Sequence, residues 1–112
     1  ISESGYPSKN FTFKQDSNSP SQEYMFNEDQ QDAYIRKLLG AASRQQLEFV
    51  AYYTATDFER VVTNLFPEGI IKQMGYTFQY TGLSWVDPSY QPKIKKALNT
   101  WHQFYLKPLN QP

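Results

Sequence analysis

The sequence predicts a mainly α fold, a small bundle of three or four helices with a short β-hairpin; an α+β domain with a small antiparallel sheet is the alternative. Three apolar periodicities predict it. Near the C-terminus Ile94, Ala97, Leu98, Trp101, Phe104 and Tyr105 fall within an arc of about 120° at helical spacing. Lys93, Lys95, Lys96, Asn99, Thr100, His102, Gln103 and Lys107 fill the wet, cationic remainder. Tyr34, Ile35, Leu38, Leu39 and Ala42 form a second stripe, and Leu47, Val50, Ala51, Thr54, Phe58, Val61, Val62 and Leu65 a third.

The elements follow in chain order. Residues 1–26 are rich in Ser, Asn, Gly and Pro and read as a flexible polar leader, with residues 27–112 as a single helical domain. Within the leader, Phe11-Thr12-Phe13-Lys14 alternates as a short edge strand does. The first helix opens at Asn27, whose side chain suits an N-cap, with Glu28 and Asp29 at the positive end of the helix dipole and Gln30 beyond them. Gly40 loosens its end. Ser43 and Gln46 make a capping box for a second helix over residues 44–66, with a break or kink near Thr54 to Thr56, where Thr56-Asp57-Phe58-Glu59 forms another box. Pro67-Glu68-Gly69 ends it.

Residues 70–86 admit two readings. Tyr76, Phe78 and Tyr80 alternate with Thr77, Gln79 and Thr81, favouring a hairpin that turns at Thr81-Gly82 into Leu83-Ser84-Trp85-Val86. The rival is a helix through Ile70, Ile71, Met74, Thr77 and Phe78, weakened by Gly75 and by threonine. Asp87-Pro88 supplies a helix start, Pro92 moves the regular helix nearer Gln91, and Pro108 stops it.

Composition bounds function. A chain of 112 residues has room for one core, and 19 aromatic residues against 17 Ile, Leu and Val mean that rings build much of it. Eleven basic and eleven acidic residues cancel, which argues against nucleic acid as a partner. The cancellation hides a split. Residues 1–68 hold ten acids and six bases, and residues 69–112 hold Asp87 and five lysines, so an acidic front is expected to pack on a basic C-terminal helix. With no cysteine there is no disulfide, thiolate metal site or Cys nucleophile. No apolar run is long enough for membrane insertion. The small, polar start Ile1-Ser2-Glu3-Ser4-Gly5 fits a chain from which a signal peptide has been removed, so periplasmic or secreted location is preferred over cytoplasmic.

Catalytic signatures are thin. The single histidine, His102, sits at the edge of the C-terminal stripe, where a boundary role is the simpler account, and one imidazole cannot make a typical zinc site. Glu28, Asp29 and Asp32, like Asp57 and Glu59, are accounted for by helix starts. No cofactor is implied and no enzyme activity is expected. The surplus of rings carries the functional expectation: Phe49, Tyr52 and Tyr53 project opposite the main face of the second helix, and Tyr76, Tyr80 and Trp85 lie on the hairpin. Tyrosine-rich surface suits a non-catalytic domain that binds another protein, of inhibitor or immunity type. The alternative is a helical module holding a small apolar or sugar-like ligand in an aromatic pocket; an enzyme using His102 or a carboxylate pair comes third.

Overall fold

The computed structural model describes residues 4–14, 18–47 and 50–106 and, within them, every side chain except that of Tyr105. In chain order the elements are β1 (Phe11–Phe13), β2 (Gln22–Tyr24), α1 (Glu28–Arg44), α2 (Glu59–Leu65), α3 (Ile70–Phe78), β3 (Ser84–Val86), β4 (Pro92–Ile94) and α4 (Lys96–Tyr105). Among the described residues four helices and two antiparallel two-stranded sheets, β1 with β2 and β3 with β4, make a mainly α or α+β small domain.

Helix α1 begins as its sequence dictates. The Asn27 side chain accepts from the Gln30 N–H at 2.8 Å, Gln30 Oε1 accepts from the Asn27 N–H at 3.0 Å, and two orphan donors of the first turn are satisfied together. The helix then runs through Gly40 and Ser43 to Arg44, without the break expected between them. It presents Ile35 and Leu39 to Leu83 and Ala97, and around these buried residues pack Tyr34, Leu38, Tyr52, Leu98, Trp101 and Phe104. The core therefore lies between α1 and α4, and rings form its margin. The acidic front meets the basic helix at the same seam, where Glu28 Oε1 accepts from the Lys96 N–H at 3.1 Å and Asp29 pairs with the Lys96 ammonium.

Three expectations are corrected. The helix over residues 44–66 is confined to α2, Glu59–Leu65, and described residues 50–58 are non-helical. Their backbone groups bond across the fold: Tyr53 N–H donates to Ser4 O at 2.7 Å, Leu83 N–H to Thr54 O at 3.2 Å and Asp57 N–H to Ser84 O at 2.9 Å. A run containing Val50, Tyr52, Tyr53, Thr54 and Thr56 resists helix locally, so these tertiary partners prevail.

Residues 70–78 are helical, so the hairpin is displaced to β3–β4. Gly75, which weakened the helical reading, is required there. A Cβ on it would stand 2.7 Å from the Phe66 ring and 2.9 Å from Val62 Cγ1, so its bareness lets α3 close on α2. Thr77 Oγ1 donates back to Gln73 O at 3.3 Å, an accommodation of threonine within a helix.

Asp87 caps a turn where a helix start was expected. Its Oδ1 accepts from the Ser89 and Gln91 N–H groups, both at 2.9 Å, which reverses the chain into β4. As a result α4 starts at Lys96, and Ile94 lies outside the helix, 60% exposed.

The leader segment contributes to the packing. Phe11 is buried, its ring is stacked 5.7 Å from that of Phe26, and Tyr6 stacks 4.9 Å from Tyr34.

Gly82 is the most tightly enclosed of the glycines. A Cβ there would lie 2.2 Å from Asp57 N and 2.3 Å from Thr56 C, both backbone atoms. Gly82→Ala is expected to lower unfolding free energy by on the order of 3 kcal/mol or more, read as a shifted urea midpoint; an unshifted midpoint would contradict the packing.

Candidate functional site

Two features of the molecule could bear function, and they differ in accessibility. The first is a buried polar cluster around Lys95. This residue precedes α4 in extended backbone, its N–H donating to Leu83 O at 3.0 Å, which aims its side chain inward. The ammonium is 1% exposed and donates to Asp57 Oδ1 at 2.6 Å, Ser8 Oγ at 2.6 Å and Tyr80 O at 3.4 Å. Asp57 Oδ1 also accepts from the Gly82 N–H at 2.9 Å. On the other side of Gly82, the fully buried Gln31 amide reaches Gly82 O at 2.9 Å, Tyr6 O at 3.0 Å and the Tyr52 hydroxyl at 3.2 Å.

Burial outweighs pairing for both ions. It pushes the Asp57 carboxyl up and the Lys95 ammonium down, each against the pull of the other. Asp57 Oδ2 is buried without a hydrogen-bond partner among the described residues, which adds to the cost of its charge. Both charged side chains are sealed from solvent, and their contacts tie the segment around Ser8, Asp57 and the turn at Tyr80 to the start of α4.

The second feature is an exposed apolar surface on α3. Ile70, Ile71, Met74 and Phe78 project within an arc of about 100°, and each is about half exposed. Phe78 leads this arc into a cleft of about 890 Å³ that lies between the β1–β2 hairpin, α3 and Tyr53. Tyr53 is itself half exposed, with its ring edge-on to both Phe58 and Phe78. Leu65, on α2, is more exposed still.

The rings expected to bind fall into different settings. Tyr53 lines the cleft. Tyr52 turns inward, its ring 6.0 Å from Trp101 and its hydroxyl donating to Tyr6 O at 3.0 Å. Tyr76 is half-buried on the side of α3 away from the apolar arc. Tyr80 and Trp85 come together, both beneath the Lys9 ammonium at 5.2 and 5.1 Å from their centroids. Phe49 lies outside the described residues. Ile70, Ile71, Met74 and Phe78 were visible only as the rival helical pattern, and Phe11, Phe13 and Phe26 were hidden in the leader.

The carboxylates of the described residues are largely engaged in ion pairs and hydrogen bonds within the fold. His102 is exposed on α4, Asp32 bonds Arg36 at 2.9 Å, and no group of three or more metal-ligating side chains occurs among the described residues. No described helix is long and apolar enough to cross a membrane. No protein-family model, curated protein or solved structure matches the chain.

Removing one member of the buried pair should be far costlier than removing both. Asp57→Ala is expected to cost about 3–5 kcal/mol, and Asp57→Leu combined with Lys95→Met to recover most of that in thermal unfolding. A double variant no more stable than the single one would contradict this account.

Burial also pushes the Tyr52 phenol up to about 12, from an ordinary 10.0. The folded state then holds that proton more tightly, so the linked stability is complete below pH 10 and lost as pH rises toward 12. Lys95, lowered from 10.5, gives the opposite slope as pH approaches 10.5 from below. Tyr52→Phe isolates the phenol, and its stability should fall less between pH 10 and 12 than that of the wild type in denaturant titrations. Parallel curves would refute the assignment.

Proposed function

We propose that this chain is a non-catalytic recognition domain of inhibitor or immunity type, which binds another protein through the outer face of α3 together with Tyr53. One observation carries the reading: four large apolar side chains share one arc of a nine-residue helix and stand half out of the protein. Amphipathic helices normally turn such an arc to the core. The core-facing side of α3 is already occupied by Phe66 and Val62 at Gly75 and by β1, so the arc is a second apolar face. Contiguous exposed apolar surface of this kind marks interaction sites, and Met and aromatic residues are enriched in them. The pairing of Glu28 and Asp29 with Lys96 and of Asp32 with Arg36, and a single histidine outside any metal-ligating group, support a role without chemistry among the described residues.

The test compares wild type with the double variant Ile71→Ser, Met74→Ser. Both residues are solvent-facing, so the melting temperature should stay within about 3 °C. Parallel affinity capture from the native host with quantitative mass spectrometry should then show at least one protein held by the wild type and depleted about tenfold or more with the variant. Identical captured sets from a folded variant would overturn the proposal.

A further inference from the structure

The cleft beside α3 has a chemistry of its own, distinct from the helix face that borders it. Its walls include six rings, Phe11, Phe13, Tyr24, Phe26, Tyr53 and Phe78, and none of its lining residues carries a charge. Its volume, about 890 Å³, falls in the range of small-molecule sites. Polar atoms in the walls are mostly engaged. Ser4 Oγ donates to Ala51 O at 2.7 Å, Thr77 Oγ1 to Gln73 O at 3.3 Å, Thr81 Oγ1 to Phe78 O at 2.8 Å and the Tyr24 hydroxyl to Gln22 Oε1 at 2.8 Å. Tyr53 has the one lining hydroxyl that makes no hydrogen bond among the described residues.

These facts select a ligand class. A charged group inside the cleft would lose its hydration and meet no counter-charge, and a sugar would bring several hydroxyls to walls with one uncommitted donor. Flat or extended hydrocarbon surface, in contrast, meets rings on several sides. We propose that the cleft is a binding site for a neutral, largely apolar small molecule, aromatic or long-chain, that bears at most one hydrogen-bond acceptor for the Tyr53 hydroxyl. The site shares Tyr53 and Phe78 with the protein-binding face but not Ile70, Ile71 or Met74, so the two can be separated.

The test uses the full chain and the neutral fluorescent probe N-phenylnaphthylamine. Wild type should enhance its emission saturably, at one probe per chain, with decanol displacing it and decanoate at neutral pH displacing it several-fold less well. Phe13→Ser should weaken probe binding by about tenfold or more. Because that change could also loosen β1, a second variant, Thr77→Phe, fills the cleft from α3 and should abolish binding while the protein stays folded by circular dichroism. Tyr53→Phe should leave the probe bound but weaken displacement by decanol several-fold. Ile71→Ser, Met74→Ser should bind the probe as wild type does, so loss of a captured partner and loss of the probe report on different sites. The proposal is overturned by non-saturating emission, by undiminished binding to folded Thr77→Phe, or by decanoate displacing as well as decanol.

Discussion

The contact between the Lys95 ammonium and Asp57 Oδ1, 2.6 Å long and sealed from water, is the constraint on which the rest of the structure depends. Two charges in the interior cost least when their remaining hydrogen-bonding capacity is met, which holds here for the ammonium and, among the described residues, not for Asp57 Oδ2. The ammonium has three protons and finds three acceptors, from the leader, from the segment before α2 and from the turn after α3. Parts of the chain far apart in sequence are thereby brought to one point. An apolar contact tolerates sliding, but this one fixes direction. With Asp57 held against Lys95, its N–H bonded to Ser84, and Tyr53 and Thr54 bonded to Ser4 and Leu83, residues 50–58 spend their backbone groups outside any helix, and the long apolar periodicity that begins at Leu47 is interrupted. Gly82 sits between Asp57 and Gln31 because only a residue without a side chain lets the three approach.

What could be read from the sequence was whatever a local rule decides. The Asn27 cap, the buried stripe of α1, the Ala97, Leu98, Trp101 and Phe104 face of α4 and the Phe11 to Phe13 strand all depend on neighbours within a few residues. Lys95 was illegible for the opposite reason. On a helical wheel it resembles Lys93 and Lys96, and its burial follows from a carboxylate 38 positions away. Asp57 looked like part of a capping box, yet α2 starts without a side-chain cap bond. Gly75 counted against α3 because propensity registers its missing side chain but not the Phe66 ring that occupies the space.

The candidate surface was legible in kind and not in place. A surplus of rings announces that some must serve at a surface, but composition does not assign sides. Tyr52 and Tyr53 are adjacent in a non-helical segment, and their side chains go to different places: one enters the polar network and the other lines the cleft. Had the segment been helical, the two would have shared a face. Likewise the acidic front and basic back resolve at the α1–α4 seam through Glu28, Asp29 and Lys96, which leaves the cleft and the α3 arc free of the charge that would have marked them from afar.

The division of labour between helices explains why apolar surface remains uncovered where it does. The α1–α4 pair and Leu83 make the core, while α2 and α3, of seven and nine residues, pack on each other and α3 on β1. Helices of that length are not stable in isolation, and α3 has its inner side to hold it, through Gly75. Its outer arc therefore contributes little to its own stability, and any molecule that covers the arc or fills the cleft adds burial to the least buttressed helices of the fold. Occupancy and local order are then linked by mass action: what binds the formed helix also stabilises it. An apolar face on α1 or α4 could not behave in this way, since those helices are already held by the core.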